Sequence, residues 1–180
     1  MKGKQHNIIV SGFGGQGVLF LGTILCHAAI IEGKNTTWIP SYGAEMRGGS
    51  ANCYVIVSDT DIASPIFDSA SCGIFLSRQA MNKFENVIDK DGLIIADSSF
   101  TGTDKKRADI EYLFKPFNDL IHGQNAKMLL NIVVLGAMIK KTGLFMKESV
   151  IKALKQVSSM KKPEFSDLNI KSFEYGYSLV

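Results

Sequence analysis

The chain has 180 residues, 46% of them apolar and 21% charged, with a formal net charge of +3. That apolar content offsets chain entropy on burial, which excludes a disordered chain, and the length predicts one domain over residues 1–180 that needs neither disulfides nor a structural metal. No apolar run of membrane-spanning length occurs and Met1 to Asn7 is too polar to open a secretory signal, so the expected setting is the cytoplasm with no membrane partner.

In chain order, Ile8-Ile9-Val10 within Asn7 to Ser11 predicts a strand, Gly12 to Gly17 a glycine turn, and Gly17 to Ile31 a helix: the opening of an α/β unit. Thr36 to Ile39 predicts a second strand, and Ser50 to Ser58 alternates strictly enough to predict a third. Only about ten residues, Pro40 to Gly49, join these two. A parallel crossover needs a dozen or more, so the pair is expected to be antiparallel and the sheet mixed. Gly73 to Ser77 is a predicted strand, Gln79 to Lys90 a helix, Asp91-Gly92 a turn, Leu93 to Asp97 a strand, and Tyr112 to Phe117 an edge strand that tolerates Pro116. Helices follow over Asn125 to Thr142, closed by Gly143, over Lys147 to Met160, and over Ser166 to Tyr177 with Ser166 as cap. The expected class is a three-layer α/β/α fold with a mixed, mostly parallel central sheet, a Rossmann-like start and a helical C-terminal third.

Residues 1–100 carry 7 Lys+Arg against 9 Asp+Glu, and residues 101–180 carry 13 against 8. The excess is scattered in pairs such as Lys140-Lys141 instead of forming a focused basic face, so nucleic acid is not an expected partner. Cys26, Cys53 and Cys72 are spaced too widely for a zinc knuckle or an iron–sulfur cluster and read as buried thiols. His6, His27 and His122 share no metal-type spacing, and no nucleophile–base set stands out.

Two segments carry binding chemistry. Gly12, Gly14, Gly15, Gln16 and Gly17 lie in a G-x-G-x-x-G pattern after a strand and before a helix, where backbone amides and the helix N-terminus attract a phosphate. A ribose-binding acid at the end of the second strand is missing, which disfavours NAD, and no Gly-Lys-Ser/Thr makes a P-loop. The second segment, Pro40 to Gly49, holds Ser41, Tyr42, Glu45, Arg47, Gly48 and Gly49. If the first two strands are neighbours, both segments line one crevice at the carboxyl ends of the strands. Arg47 then reads either as a partner for a phosphate or carboxylate or as half of an internal pair with Glu45. Arg78 reads as an exposed helix start and Arg107, among Asp104 and Asp109, as surface.

The Gly12–Gly17 turn, the loop from Tyr42 to Gly49 with Ala51-Asn52-Cys53, Ile62-Ala63-Ser64-Pro65, Asn131 through Leu135-Gly136-Ala137, and the Asn169 to Tyr177 ending together resemble the gamma subunit of 2-oxoacid:ferredoxin (or flavodoxin) oxidoreductases. The loop wording is most similar to the 2-oxoglutarate branch. The resemblance implies one chain of a heterotetramer that converts 2-oxoglutarate, coenzyme A and an oxidised carrier to succinyl-CoA, carbon dioxide and reduced carrier. It implies that thiamine diphosphate, magnesium and the iron–sulfur clusters sit in alpha, beta and delta (ferredoxin-like) partners, with ferredoxin or flavodoxin as acceptor. It leaves this chain coenzyme A contact, by Gly12, Gly14, Gly15, Gln16, Gly17, Ser41, Tyr42, Arg47, Gly48 and Gly49, and assembly. Three other readings stay open: the same role in a pyruvate or branched-chain 2-oxoacid enzyme, a free-standing nucleotide-binding oxidoreductase, and a purely structural subunit without a ligand site. Partner docking predicts an apolar patch around Phe145, Met146, Phe165 or Phe173.

Overall fold

The structure is a computed structural model, and it describes residues 4–43, 49–123, 128–161 and 165–180. Its elements are β1 (Gln5–Phe13), α1 (Val18–Ile31), β2 (Asn35–Tyr42), β3 (Ser50–Ser58), β4 (Ala70–Phe75), α2 (Arg78–Phe84), β5 (Ile88–Asp97), α3 (Ser98–Thr101), β6 (Glu111–Lys115), α4 (Phe117–His122), α5 (Leu130–Thr142), α6 (Lys147–Lys161) and α7 (Ser166–Ser178). The six strands form one sheet in the order β2-β3-β1-β4-β5-β6. β1, β4, β5 and β6 run parallel, whereas β3 is antiparallel to both β1 and β2. The mixed, mostly parallel α/β sheet is therefore as expected, but β1 and β2 are not neighbours. β3 inserts between them, with Ile8 opposite Val55 and Val55 opposite Trp38.

Side-chain alternation divides the core between the two faces. On one face, Ile8 and Val10 of β1, Cys53, Val55 and Val57 of β3, Ile74 of β4 and Ile95 of β5 pack with α1, α5, α6 and α7. On the other, Ile9, Phe75, Ile94 and Ala96 meet Ala80, Met81 and Phe84 of α2. α5 and α7 approach so closely that a Cβ on Gly136 would strike the Phe173 carbonyl, and one on Gly176 the Val133 carbonyl. Glycine at both positions is what lets the backbones touch.

Several boundaries differ from the sequence pattern for physical reasons. The helix expected over Gln79–Lys90 stops at Phe84, and Ile88 begins β5 by pairing with Ala70. Buried Glu85 accepts a hydrogen bond from the Tyr112 hydroxyl, and Arg107 donates to the carbonyls of Glu85 and Ile88, which draws these groups out of helical register. Arg107 is thus a clasp with a mostly buried side chain, not a surface residue. Asp91-Gly92 lies within β5, Asp91 at φ 63°, as an irregularity of the strand instead of a turn before it. Gly143 closes α5 at φ 60°, as expected, while Phe165 and not Ser166 takes the cap position of α7, without a side-chain bond. Phe145 and Phe173 are buried in the core, so of the expected docking patch only Met146 and Phe165 are exposed. No helix among the described residues is long and apolar enough to cross a membrane.

Candidate functional site

The carboxyl ends of β1, β2 and β4 and the start of β3 meet at one end of the sheet. The glycine turn lies there, between β1 and α1. Gly15 has φ 92° and Gly17 φ 75°, left-handed conformations in which a Cβ is strained. Gly17 precedes α1, and no side chain caps the helix. The first amides of α1 therefore have no side-chain cap, at the positive end of a 14-residue helix, an arrangement that favours an anion. The Gly14 amide donates to the Gly49 carbonyl at 2.9 Å, so the turn and the end of the Pro40–Gly49 segment do meet, through β3.

The expected site residues separate on inspection. Gly12, Gly14, Gly15 and Gly17 form the turn. Gln16 has its polar atoms engaged internally: Oε1 accepts from the Phe13 amide at 2.6 Å, and Nε2 donates to the Leu76 carbonyl at 3.0 Å. It braces the turn against the end of β4. Ser41 and Tyr42 end β2, opposite Asn52 and Ala51, with Tyr42 exposed. Gly49 is at the turn, whereas Arg47 and Gly48 lie outside the described residues. Arg78 is the expected exposed helix start, paired with Asp104 at 3.3 Å.

Sequence reasoning about binding missed the residues beside the turn. A cleft of about 360 Å³ is lined by Gly17, Phe20, Leu129, Asn131, Phe165 and Asn169, with Ser158. The Asn131 Nδ2 donates to the Gly17 carbonyl at 3.3 Å, and Asn169 Nδ2 to Ser158 Oγ at 2.7 Å. Asn169 is 3% exposed, and its Oδ1 is buried with no partner among the described residues. An apolar cleft with one buried acceptor still open suits a ligand that carries amide donors on an aliphatic chain. The only signal in the sequence was two asparagines inside otherwise apolar helical faces.

Elsewhere at this end, Asp97 is fully buried. It accepts from the Ser99 and Asn118 amides, tying α3 and α4 to β5, and burial pushes its carboxyl above the usual range against the pull of those donors. The thiols of Cys53 and Cys72 are pushed up to about 12 by burial, so neither is poised as a nucleophile or a ligand. Among the described residues, no three His, Cys, Asp or Glu side chains converge to hold a metal.

The sequence pattern of the pyruvate ferredoxin/flavodoxin oxidoreductase family matches residues 7–179. The 2-oxoglutarate synthase subunit KorC of Methanocaldococcus jannaschii is 33% identical over 97% of this chain and 94% of its own length. The ketoisovalerate oxidoreductase subunit VorA of Methanothermobacter thermautotrophicus is also 33% identical, but this chain spans only 36% of that longer relative. Among solved structures, the gamma subunit of a keto/oxoacid ferredoxin oxidoreductase from Geobacter sulfurreducens superposes with a TM-score of 0.80 at 30% identity, covering 96% of each chain. A chain of the 2-oxoglutarate:ferredoxin oxidoreductase from Magnetococcus marinus shares the fold, with a TM-score of 0.87 at 19% identity over 98% of this chain and 31% of its own. With a family match running almost end to end and a gamma subunit of equal extent at 30% identity, the chain belongs to the pyruvate ferredoxin/flavodoxin oxidoreductase family, in its gamma-subunit form.

Proposed function

We propose that this chain is the non-autonomous gamma subunit of a 2-oxoglutarate:ferredoxin or flavodoxin oxidoreductase acting in the cytoplasm, and that it contributes coenzyme A contact and assembly. The carrying observation is the uncapped start of α1 behind a strained glycine turn, opening beside the cleft that holds Asn131 and Asn169. The coenzyme's phosphates are assigned to the amides of Gly15 and Gly17 and of the first turn of α1, since those of Phe13, Gly14 and Gln16 are engaged within the fold. Its pantetheine arm follows the cleft, with an amide N–H donated to the open Asn169 Oδ1. Arg47 is assigned to a phosphate, and Ser41, Tyr42, Gly48 and Gly49 to further coenzyme contact.

The reaction joins the oxoacid's acyl group to the coenzyme's sulfur with loss of carbon dioxide, the electron pair passing to the carrier. The alpha, beta and delta partners would hold thiamine diphosphate with magnesium and the iron–sulfur clusters, which would supply the decarboxylation and the electron transfer there. This chain's share is to hold the coenzyme so that its thiol reaches that centre. The Magnetococcus enzyme, which carries 2-oxoglutarate, coenzyme A and succinyl-CoA in its structure, supports the ligand class. The full-length KorC relative supports the 2-oxoglutarate branch, and the VorA relative makes a branched-chain oxoacid the second reading.

The test is reconstitution with the partner chains. Carrier reduction is expected only in the assembled enzyme, with kcat/KM highest for 2-oxoglutarate over pyruvate and 2-oxoisovalerate. Arg47→Ala is expected to raise KM for coenzyme A more than KM for the oxoacid. Turnover by this chain alone, or equal effects of Arg47→Ala on both constants, contradicts the assignment.

A further inference from the structure

The geometry points to a second, oxyanion-binding site on the α2 face of the sheet: a small polar cavity between the ends of β1 and β3 and helix α2 that takes one carboxylate or phosphate group. It lies across the sheet from the cleft beside α1 and goes beyond the coenzyme assignment, although Gly12 and Phe13 of the glycine turn also line it, so the two sites adjoin. Its volume is about 50 Å³, and its polar lining comes from Ser11, Ser50, Asn52, Ser77, Gln79 and Lys83. A water takes about 30 Å³ of liquid, so this space admits one small group and no nucleotide.

The lining is biased toward donors. Ser11 Oγ donates to Asn52 Oδ1 at 2.6 Å, and both residues are buried, Asn52 being 3% exposed. That bond occupies the carbonyl end of the Asn52 amide and leaves the NH₂ end for the cavity. Among the described residues nothing accepts from it, so it stays free to donate to a group in the cavity. Ser77 Oγ accepts from the Ala80 amide at 3.2 Å, which leaves its hydroxyl proton to donate. Lys83 Nζ sits 5.1 Å from the centre of the Phe84 ring and has no carboxylate partner among the described residues. No Asp or Glu side chain is among the described residues that line the cavity. One amide donor on a buried residue, one hydroxyl and one cation around a small space are what an oxyanion requires.

The test is a titration of the full-length ¹⁵N-labelled chain with inorganic phosphate or with succinate at constant ionic strength, using chloride as control, read at the asparagine side-chain amides by NMR. A saturable shift of the Asn52 amide pair, identified by its absence from Asn52→Asp, is expected. A stronger response to phosphate assigns the group to a phosphate ester, and a stronger response to succinate to a carboxylate. Lys83→Met alters only an exposed side chain and is expected to weaken binding about threefold to tenfold. The site is overturned if neither anion moves the Asn52 amide beyond the chloride control, or if Lys83→Met binds as tightly as the parent.

Discussion

On one face of the sheet, four helices seal a continuous aliphatic core, and the cleft they leave at the end of β1 is large, mostly apolar and edged by two asparagines. On the other face, the two-turn helix α2 is the main helical cover, and the cavity at the same end is small and polar. The contrast follows from how each face is closed. Deep helix packing produces a long cleft suited to an extended ligand, whereas a short helix over the strand ends leaves room for one group. The glycine turn lies between the two, with Gly17 lining the cleft and Gly12 the cavity.

The largest effect expected on this contrast is in the helical face. Gly136→Ala or Gly176→Ala forces α5 and α7 apart, because the added methyl meets backbone atoms that cannot turn aside. A loss of about 3 kcal/mol or more in denaturant unfolding is expected. Gly17→Ala comes next. It strains a residue at φ 75° and drives a methyl into Asn131, so about 1–2 kcal/mol is lost and the cleft narrows. In the assembled enzyme that loss is expected with a raised KM for coenzyme A.

Much of this architecture was legible in the sequence, and the exceptions are instructive. β3 could be read to the residue because its alternation is strict, and the short link before it correctly made its pairing with β2 antiparallel. The insertion of β3 between β1 and β2 was not legible, since strand order depends on contacts distant in sequence. Gln16 looked like a ligand contact because it sits in a glycine motif. Its role as a brace appears only with the Leu76 carbonyl, 60 residues away, in view. Phe145 and Phe173 looked available for docking, but α6 and α7 fold back and bury them. Asn169 illustrates the converse, an unremarkable helical residue until its unpaired oxygen is found in a cleft.

A pH effect of intermediate size distinguishes the interior from the surface. The Cys53 and Cys72 thiols are raised from 9.0 to about 12, so between those values the unfolded chain releases protons that the folded chain keeps. Stability is therefore expected to be full below about pH 9 and to fall as pH rises beyond it. Unfolding midpoints measured from pH 7 to pH 10.5 check this, with a shallower fall in Cys72→Ala. The smallest effect belongs to Arg78→Ala. Its pair with Asp104 is exposed at both ends, so unchanged unfolding and an unchanged KM for coenzyme A are expected.

Gly14 offers the most direct test of the central claim, that the glycine turn contacts the coenzyme. Among the described residues a Cβ there meets only the Gly49 carbonyl at 3.7 Å, and its φ is not in the left-handed range, so a side chain is tolerated by the fold. In the assembled enzyme, Gly14→Glu places a carboxylate where the phosphates are assigned. The predicted result is a KM for coenzyme A raised about tenfold or more, with KM for 2-oxoglutarate and the unfolding midpoint unchanged. An unchanged KM for coenzyme A in a correctly assembled Gly14→Glu enzyme would contradict the account.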